Sequence, residues 1–74
     1  MTVNEIIQIV KENVDKSDVL KLHSGEIMAA VILTVDVEGF VYDPDPQETR
    51  KTNPMYWTPF GDISEVRPDM PSEL

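Results

Sequence analysis

The chain changes its hydrophobic period after its first segment. Between residues 3 and 14, Val3, Ile6, Ile7, Val10 and Val14 recur every three to four positions, with Glu5, Gln8, Lys11 and Glu12 largely off that stripe. This spacing predicts an amphipathic helix over 3–14. Thr2 stands as its N-cap, and Glu5 three residues on completes a reciprocal capping box. The polar run Asp15-Lys16-Ser17-Asp18 reads as the turn that ends it.

From Val19 the period is two. Leu20 and Leu22 share one face, Lys21 and His23 the other, and Ser24-Gly25-Glu26 makes a tight turn in which Gly25 can take positive φ without steric cost. Residues 27–38 predict a long strand. Ile27, Ala29, Val31, Leu33, Val35 and Val37 form an unbroken apolar face, while the opposite face runs Met28, Ala30, Ile32 and then Thr34, Asp36, Glu38. The first half of this strand is therefore apolar on both sides. Met28, Ala30 and Ile32 need a cover, either the amphipathic helix or another subunit. The small pair Ala29-Ala30 suits a bend there.

Glu38-Gly39 predicts the next hairpin turn and Phe40-Val41-Tyr42 the third strand. All six prolines then fall from position 44 onward, and 43–54 holds no hydrophobic residue. Strand character returns at Met55-Tyr56-Trp57-Thr58, a turn or single 3₁₀ turn follows at 59–62, and a last short strand covers 63–67. The expectation is one mainly β domain over 1–67, with an N-terminal helix, five short strands and a flexible tail over 68–74. Short strands joined by tight turns suggest a closed or nearly closed barrel, which would leave no free edges.

The segments Leu20-x-Leu22-x-x-Gly25, the long strand 27–37, Glu38-Gly39-Phe40, and Phe60-Gly61-Asp62-Ile63-x-x-Val66 together resemble an SH3-like small barrel, in particular the Sm-like group. The resemblance covers most of 18–67 and implies an N-terminal helix with five strongly bent strands, assembly into rings, and RNA binding. The RNA pocket of that group uses an Asn in the turn between the second and third strands and an Arg before the late Gly-Asp. This chain reads Val37-Glu38-Gly39-Phe40 in the first place and carries Phe60 in the second, so the pocket does not carry over.

Composition sharpens the choice of partner. Fourteen acids against six bases give 74 residues a net charge of -8. Residues 1–37 carry six acids and three bases, and residues 38–74 eight acids and three bases, so neither half is basic. Nucleic-acid affinity draws largely on phosphate neutralisation, which this chain opposes, and an anionic membrane surface is disfavoured for the same reason. The same charge first of all keeps a small protein soluble, and the alternative is an acidic face that complements a basic partner, as an imitation of nucleic acid would. The absence of cysteine excludes disulfides, thiolate metal sites and a Cys nucleophile. A domain this small buries only roughly 60% of its unfolded surface, so oligomerisation or a partner is an expected supplement. No apolar run approaches the roughly 20 residues of a membrane span. No signal-peptide pattern opens the chain, and the expectation is a cytoplasmic protein.

Candidate chemistry is sparse. His23 is the single histidine, beside a turn, with no specific acid or nucleophile constellation around it. The run Asp43-Pro44-Asp45-Pro46-Gln47-Glu48 is acidic but lacks the glycine turn of a calcium loop. Residues 55–60 gather Tyr56, Trp57 and Phe60, which either close the core or line a groove for a peptide or a stacked base. Arg50 and Lys51, the paired cations of the preceding loop, are placed to hold a phosphate or carboxylate over that cluster. The expected function is a non-catalytic acidic binding protein, acting through protein–protein contacts as a homo-oligomer, with no cofactor and no metal. The alternatives are a nucleotide-like ligand binder or sponge, of the kind that suits a phage-type antagonist of host machinery, and an Sm-like RNA binder. Filter binding with single-stranded RNA at physiological salt checks the charge argument: negligible retention is expected, and salt-resistant binding would overturn it.

Overall fold

The computed structural model describes residues 1–44 and 55–69; Arg50, Lys51 and the rest of 45–54, together with 70–74, lie outside the described residues. Helix α1 (Val3–Glu12) begins with the capping box that the sequence spells. The Thr2 N–H donates to Glu5 Oε1 at 2.9 Å, and the Glu5 N–H donates to Thr2 Oγ1 at 3.2 Å. These bonds to Thr2, its backbone first, hold the Glu5 carboxyl below its ordinary value. The helix stops two residues short of expectation because Asn13 caps it, its Nδ2 donating to the Ile9 carbonyl at 2.7 Å. Asp15 then takes φ 69° to reverse the chain. The Asp15 N–H donates to the Ile32 carbonyl at 2.7 Å and the Ile32 N–H to the Lys16 carbonyl at 3.2 Å. The chain leaving the helix is thereby tied to the middle of the sheet.

Five strands follow: β1 (Ser17–Leu22), β2 (Ile27–Val35), β3 (Gly39–Asp43), β4 (Tyr56–Pro59) and β5 (Ile63–Pro68), with a 3₁₀ turn at Phe60–Asp62 between the last two. All pair antiparallel, in the spatial order β4-β3-β2-β1-β5. The fold is mainly β with one helix, as its pattern predicts. Gly25 has φ 101°, as its turn requires. Pro68 is the last residue of β5, and the Asp69 N–H beyond it donates to the Ser17 carbonyl at 2.9 Å.

The sheet is not closed into a barrel, which corrects the expectation of closure. β4 and β5 remain as its two edges. The physical reason lies in the helix. Ile6 and Val10 enter one core with Leu20, Ala30, Ile32, Phe40, Phe60, Ile63 and Val66, so α1 fills the concavity that a barrel would bury by closing on itself. Register shifts between Lys21 and Leu22 and between Ile32 and Thr34 curl the sheet around it. Ala30 and Ile32 lie fully buried under this helix, and Met28 packs against the core more loosely.

The second shift also breaks the unbroken apolar face expected for 27–37. Ile32 pairs with Tyr42, but Thr34 pairs with Val41 and Val35 with Phe40, so β2 carries one extra residue. One residue of slip exchanges the two faces of a strand. Val35 turns in against the core, and Val37 lies beyond the strand at 93% exposure.

Three polar side chains are buried among the described residues, Asp18, Asp43 and Thr58, and Asp18 is the most enclosed. Asp18 sits opposite Ala30 and Pro68, 0% exposed, and neither carboxylate oxygen has a hydrogen-bond partner. Burial pushes its carboxyl up from 3.8 to about 6, with Asp69 adding to the rise and Lys16 opposing it. The folded value lies above the unfolded one, so between about pH 4 and pH 6 the folded state binds more protons. Stability therefore falls as pH rises through that window, and the penalty is complete above it. Its size is up to ~3 kcal/mol. That is about what one fully buried large apolar side chain contributes. Glu5 and Asp36, whose carboxyls are lowered and exposed, act in the opposite sense and only on further acidification. Urea unfolding at pH 4.5 and pH 7 checks the assignment. Asp18→Asn should raise stability at pH 7 by ~1–3 kcal/mol and change it little at the lower pH; an undiminished pH slope in the variant would show that the buried charge lies elsewhere.

Candidate functional site

The hairpin between β2 and β3 is built by one carboxylate. Asp36 Oδ1 accepts from the N–H groups of Glu38 and Gly39, both at 2.8 Å, and the Asp36 N–H donates to the Gly39 carbonyl at 2.8 Å. This Asp-x-x-Gly arrangement is an Asx turn, in which the side chain supplies the acceptor that the backbone lacks. The other oxygen, Oδ2, accepts from Trp57 Nε1 at 3.0 Å. The two backbone bonds, and then the indole, hold the Asp36 carboxyl below its ordinary value.

Trp57 is fixed from a second direction. It stands opposite Val41 in the β3–β4 pairing, and its ring lies across the backbone of Gly39. A Cβ at Gly39 would overlap the Thr58 carbonyl and come within 2.8 Å of Trp57 Cζ2, so only glycine admits the ring there. The indole is thus held at its nitrogen and along its ring, yet remains 50% exposed. Beside it Val37 projects from the turn between two grooves. One, of about 300 Å³, is lined by Asp36, Val37, Glu38 and Trp57. The other, of about 480 Å³, is lined by Ile7, Lys11, Val35, Asp36 and Val37. The corner joins two exposed apolar side chains to the carboxylates of Asp36 and Glu38, with Lys11 on its far side.

The aromatic cluster expected at 56–60 is divided by the strand and the turn. Phe60 points inward, 4% exposed, with its ring 5.8 Å from that of Phe40, and so belongs to the core rather than to a ligand groove. Tyr56 and Trp57 are both about half exposed, but as neighbours on β4 they face opposite sides of the sheet and cannot flank one ligand. Tyr56 stacks at 6.0 Å on Tyr42 above a groove of about 330 Å³ shared with Glu26, Met28 and Pro44. Burial raises the Tyr42 phenol above its ordinary value, with Glu26 and then Tyr56 adding to the rise. Arg50 and Lys51 fall outside the described residues, so no partner for the aromatics is assigned to them.

His23 is exposed at a turn, where its backbone N–H donates to the Asp62 carbonyl at 3.0 Å. Asp43 is buried in β3. Among the described residues no three His, Asp or Glu side chains gather where a metal could sit. Among the described residues no helix is long and apolar enough to cross a membrane. Residue reading alone missed Asp36, Val37 and Gly39. The spelling Asp36-Val37-Glu38-Gly39 was the available signal, because it is an Asx-turn pattern. No protein-family model, curated protein or solved structure matches the chain.

The geometry makes a separable prediction for two residues. Asp36→Asn keeps an acceptor for the two backbone donors but turns an amide toward the indole, so Trp57 should lose fluorescence anisotropy while the fold persists. Gly39→Ala should cost ~1–3 kcal/mol, read as a lower urea midpoint. Unchanged anisotropy in Asp36→Asn would mean that the indole is not held by this bond.

Proposed function

We propose that the chain is a non-catalytic binding protein that engages a basic protein partner through the corner formed by Trp57, Val37, Asp36 and Glu38. The observation that carries the proposal is the indole fixed at both its nitrogen and its ring while half of it faces solvent. A side chain already held in one rotamer loses little entropy on binding, and tryptophans of this kind dominate interface energetics. Desolvating the remaining half of the ring contributes roughly 2–3 kcal/mol. Val37 enlarges the apolar centre, and the carboxylates at its rim complement lysine or arginine.

The charge of -8 supports the same reading and works against the two alternatives. A nucleotide-like anion beside Tyr56 would meet Glu26, which lines that groove. An RNA-binding function of the Sm-like kind would face the acidic surface throughout. The finer likeness to an Sm-like barrel rests on the succession of one helix and five antiparallel strands with a 3₁₀ turn before the last. Self-association is motivated by the apolar positions Met28, Ala30 and Ile32, of which Ala30 and Ile32 are buried in one core with Ile6 and Val10 of α1, while Met28 lines the groove at Tyr56.

Trp57 is the single tryptophan, so its emission reports directly on the corner. The probe is an end-blocked octapeptide of alternating lysine and valine, against a control of alternating glutamate and valine. The basic peptide should bind, with affinity falling as salt rises, and Val37→Ser should weaken it. Trp57→Ala, followed by calorimetry, should weaken it by at least about tenfold. Equal affinity for both peptides, or full affinity in Trp57→Ala, would overturn the reading.

A further inference from the structure

The two edges of the sheet are not equivalent, and the difference says how a partner docks. In β5, the pairing of Leu20 with Val66 and of Asp18 with Pro68, together with the bond from the Asp69 N–H to the Ser17 carbonyl, turns the backbone groups of Glu65, Arg67 and Asp69 toward β1. Those of Ser64, Val66 and Pro68 face outward. Pro68 has no N–H, and the Val66 N–H donates to Met1 Sδ at 3.5 Å. This edge is blunted.

In β4 the same parity argument gives the opposite result. Thr58 pairs with Phe40, and the Phe60 N–H donates to the Glu38 carbonyl at 3.0 Å, so Tyr56, Thr58 and Phe60 turn their backbone groups toward β3. The N–H and C=O of Trp57 therefore point away from the sheet, between Met55 and Pro59. A strand added here places alternate side chains against Trp57 on one face and Tyr56 on the other. Asp36 and Glu38 line the groove at the first, and Glu26 the groove at the second. Among the described residues no lysine or arginine lines either groove.

We infer that a basic, extended segment of the partner adds to the edge of β4 that is open among the described residues, as a sixth strand, its backbone pairing with Trp57, the cations of one face meeting Asp36 and Glu38 and the apolar side chains of the other packing against Tyr56. Strand addition of this type takes its affinity from main-chain bonds and its specificity from alternate side-chain pockets. A second copy of this chain is the poorer occupant, because β4 against β4 would bring Asp36, Glu38 and Glu26 of two chains to one seam. This inference rests on the reading of the Trp57 corner as a site for a basic partner, and adds the mode of docking.

The test uses the full chain, the lysine–valine octapeptide, and a version of that peptide methylated at every backbone nitrogen. Amide hydrogen exchange at Trp57 is followed beside affinity. The unmodified peptide should bind and slow exchange of the Trp57 amide by at least about tenfold, and the methylated peptide should lose most of its affinity. If the unmodified peptide binds without protecting that amide, or the methylated peptide binds equally well, strand addition is overturned while the corner remains the site. Failure of the unmodified peptide to bind overturns the corner reading and this one with it. Protection of the Trp57 amide that grows with protein concentration alone would assign the edge to a second copy and overturn the basic-segment proposal.

Discussion

The extra residue in β2 is the constraint on which the rest of the molecule depends. Before it, Ala30 and Ile32 face the helix; after it, Val35 does. Without it the strand would send Val35 outward and Thr34 inward, placing a hydroxyl where the Phe40 side of the core needs an apolar group. The shift also decides where the hairpin lies. It leaves Asp36 at the first position of the turn, from which one carboxylate reaches two backbone donors and the Trp57 indole. Core packing and the surface corner are thus two results of one local irregularity, which is a common use of β-bulges.

The helix supplies the second half of the architecture. A small antiparallel sheet can bury its apolar face by closing on itself or by accepting a cover. Here the cover comes first in the chain, is anchored by its capping box, and is tied to Ile32 through the residues that follow it. Closure is then unnecessary, and two edges survive.

Much of this was legible in the residues. Thr2 with Glu5, the three-to-four spacing of Ile6 and Val10, the turn glycine at 25 and the β-branched run after it each carry a local cause, and each element appears close to its expected place. The bulge was not legible, because residues 27–37 alternate without a break and the reason for the slip is tertiary: Ile32 is held by the backbone of Lys16 and Val35 by Phe40. Asp18 reads as solvated turn material for the same kind of reason. The strand begins at Ser17, and its pairing with Ala30 and Pro68 carries the carboxyl inside. The aromatic cluster was found but not divided, since which of Trp57 and Phe60 enters the core is decided by the 3₁₀ turn that swings Phe60 onto Phe40.

An open sheet edge is a liability, because it can pair with another copy of the same chain. β5 answers that with Pro68 and with the Met1 sulfur on the Val66 N–H. β4 has Pro59 at one end only. What guards Trp57 against its own kind is charge: any approach of two copies along this edge gathers the carboxylates of Asp36, Glu38 and Glu26 from both. On the proposed reading, the same carboxylates attract a cationic strand. Acidity, which in a small protein need mean no more than solubility, is therefore placed here where it can exclude one class of neighbour and admit another, and the edge can stay open because of it.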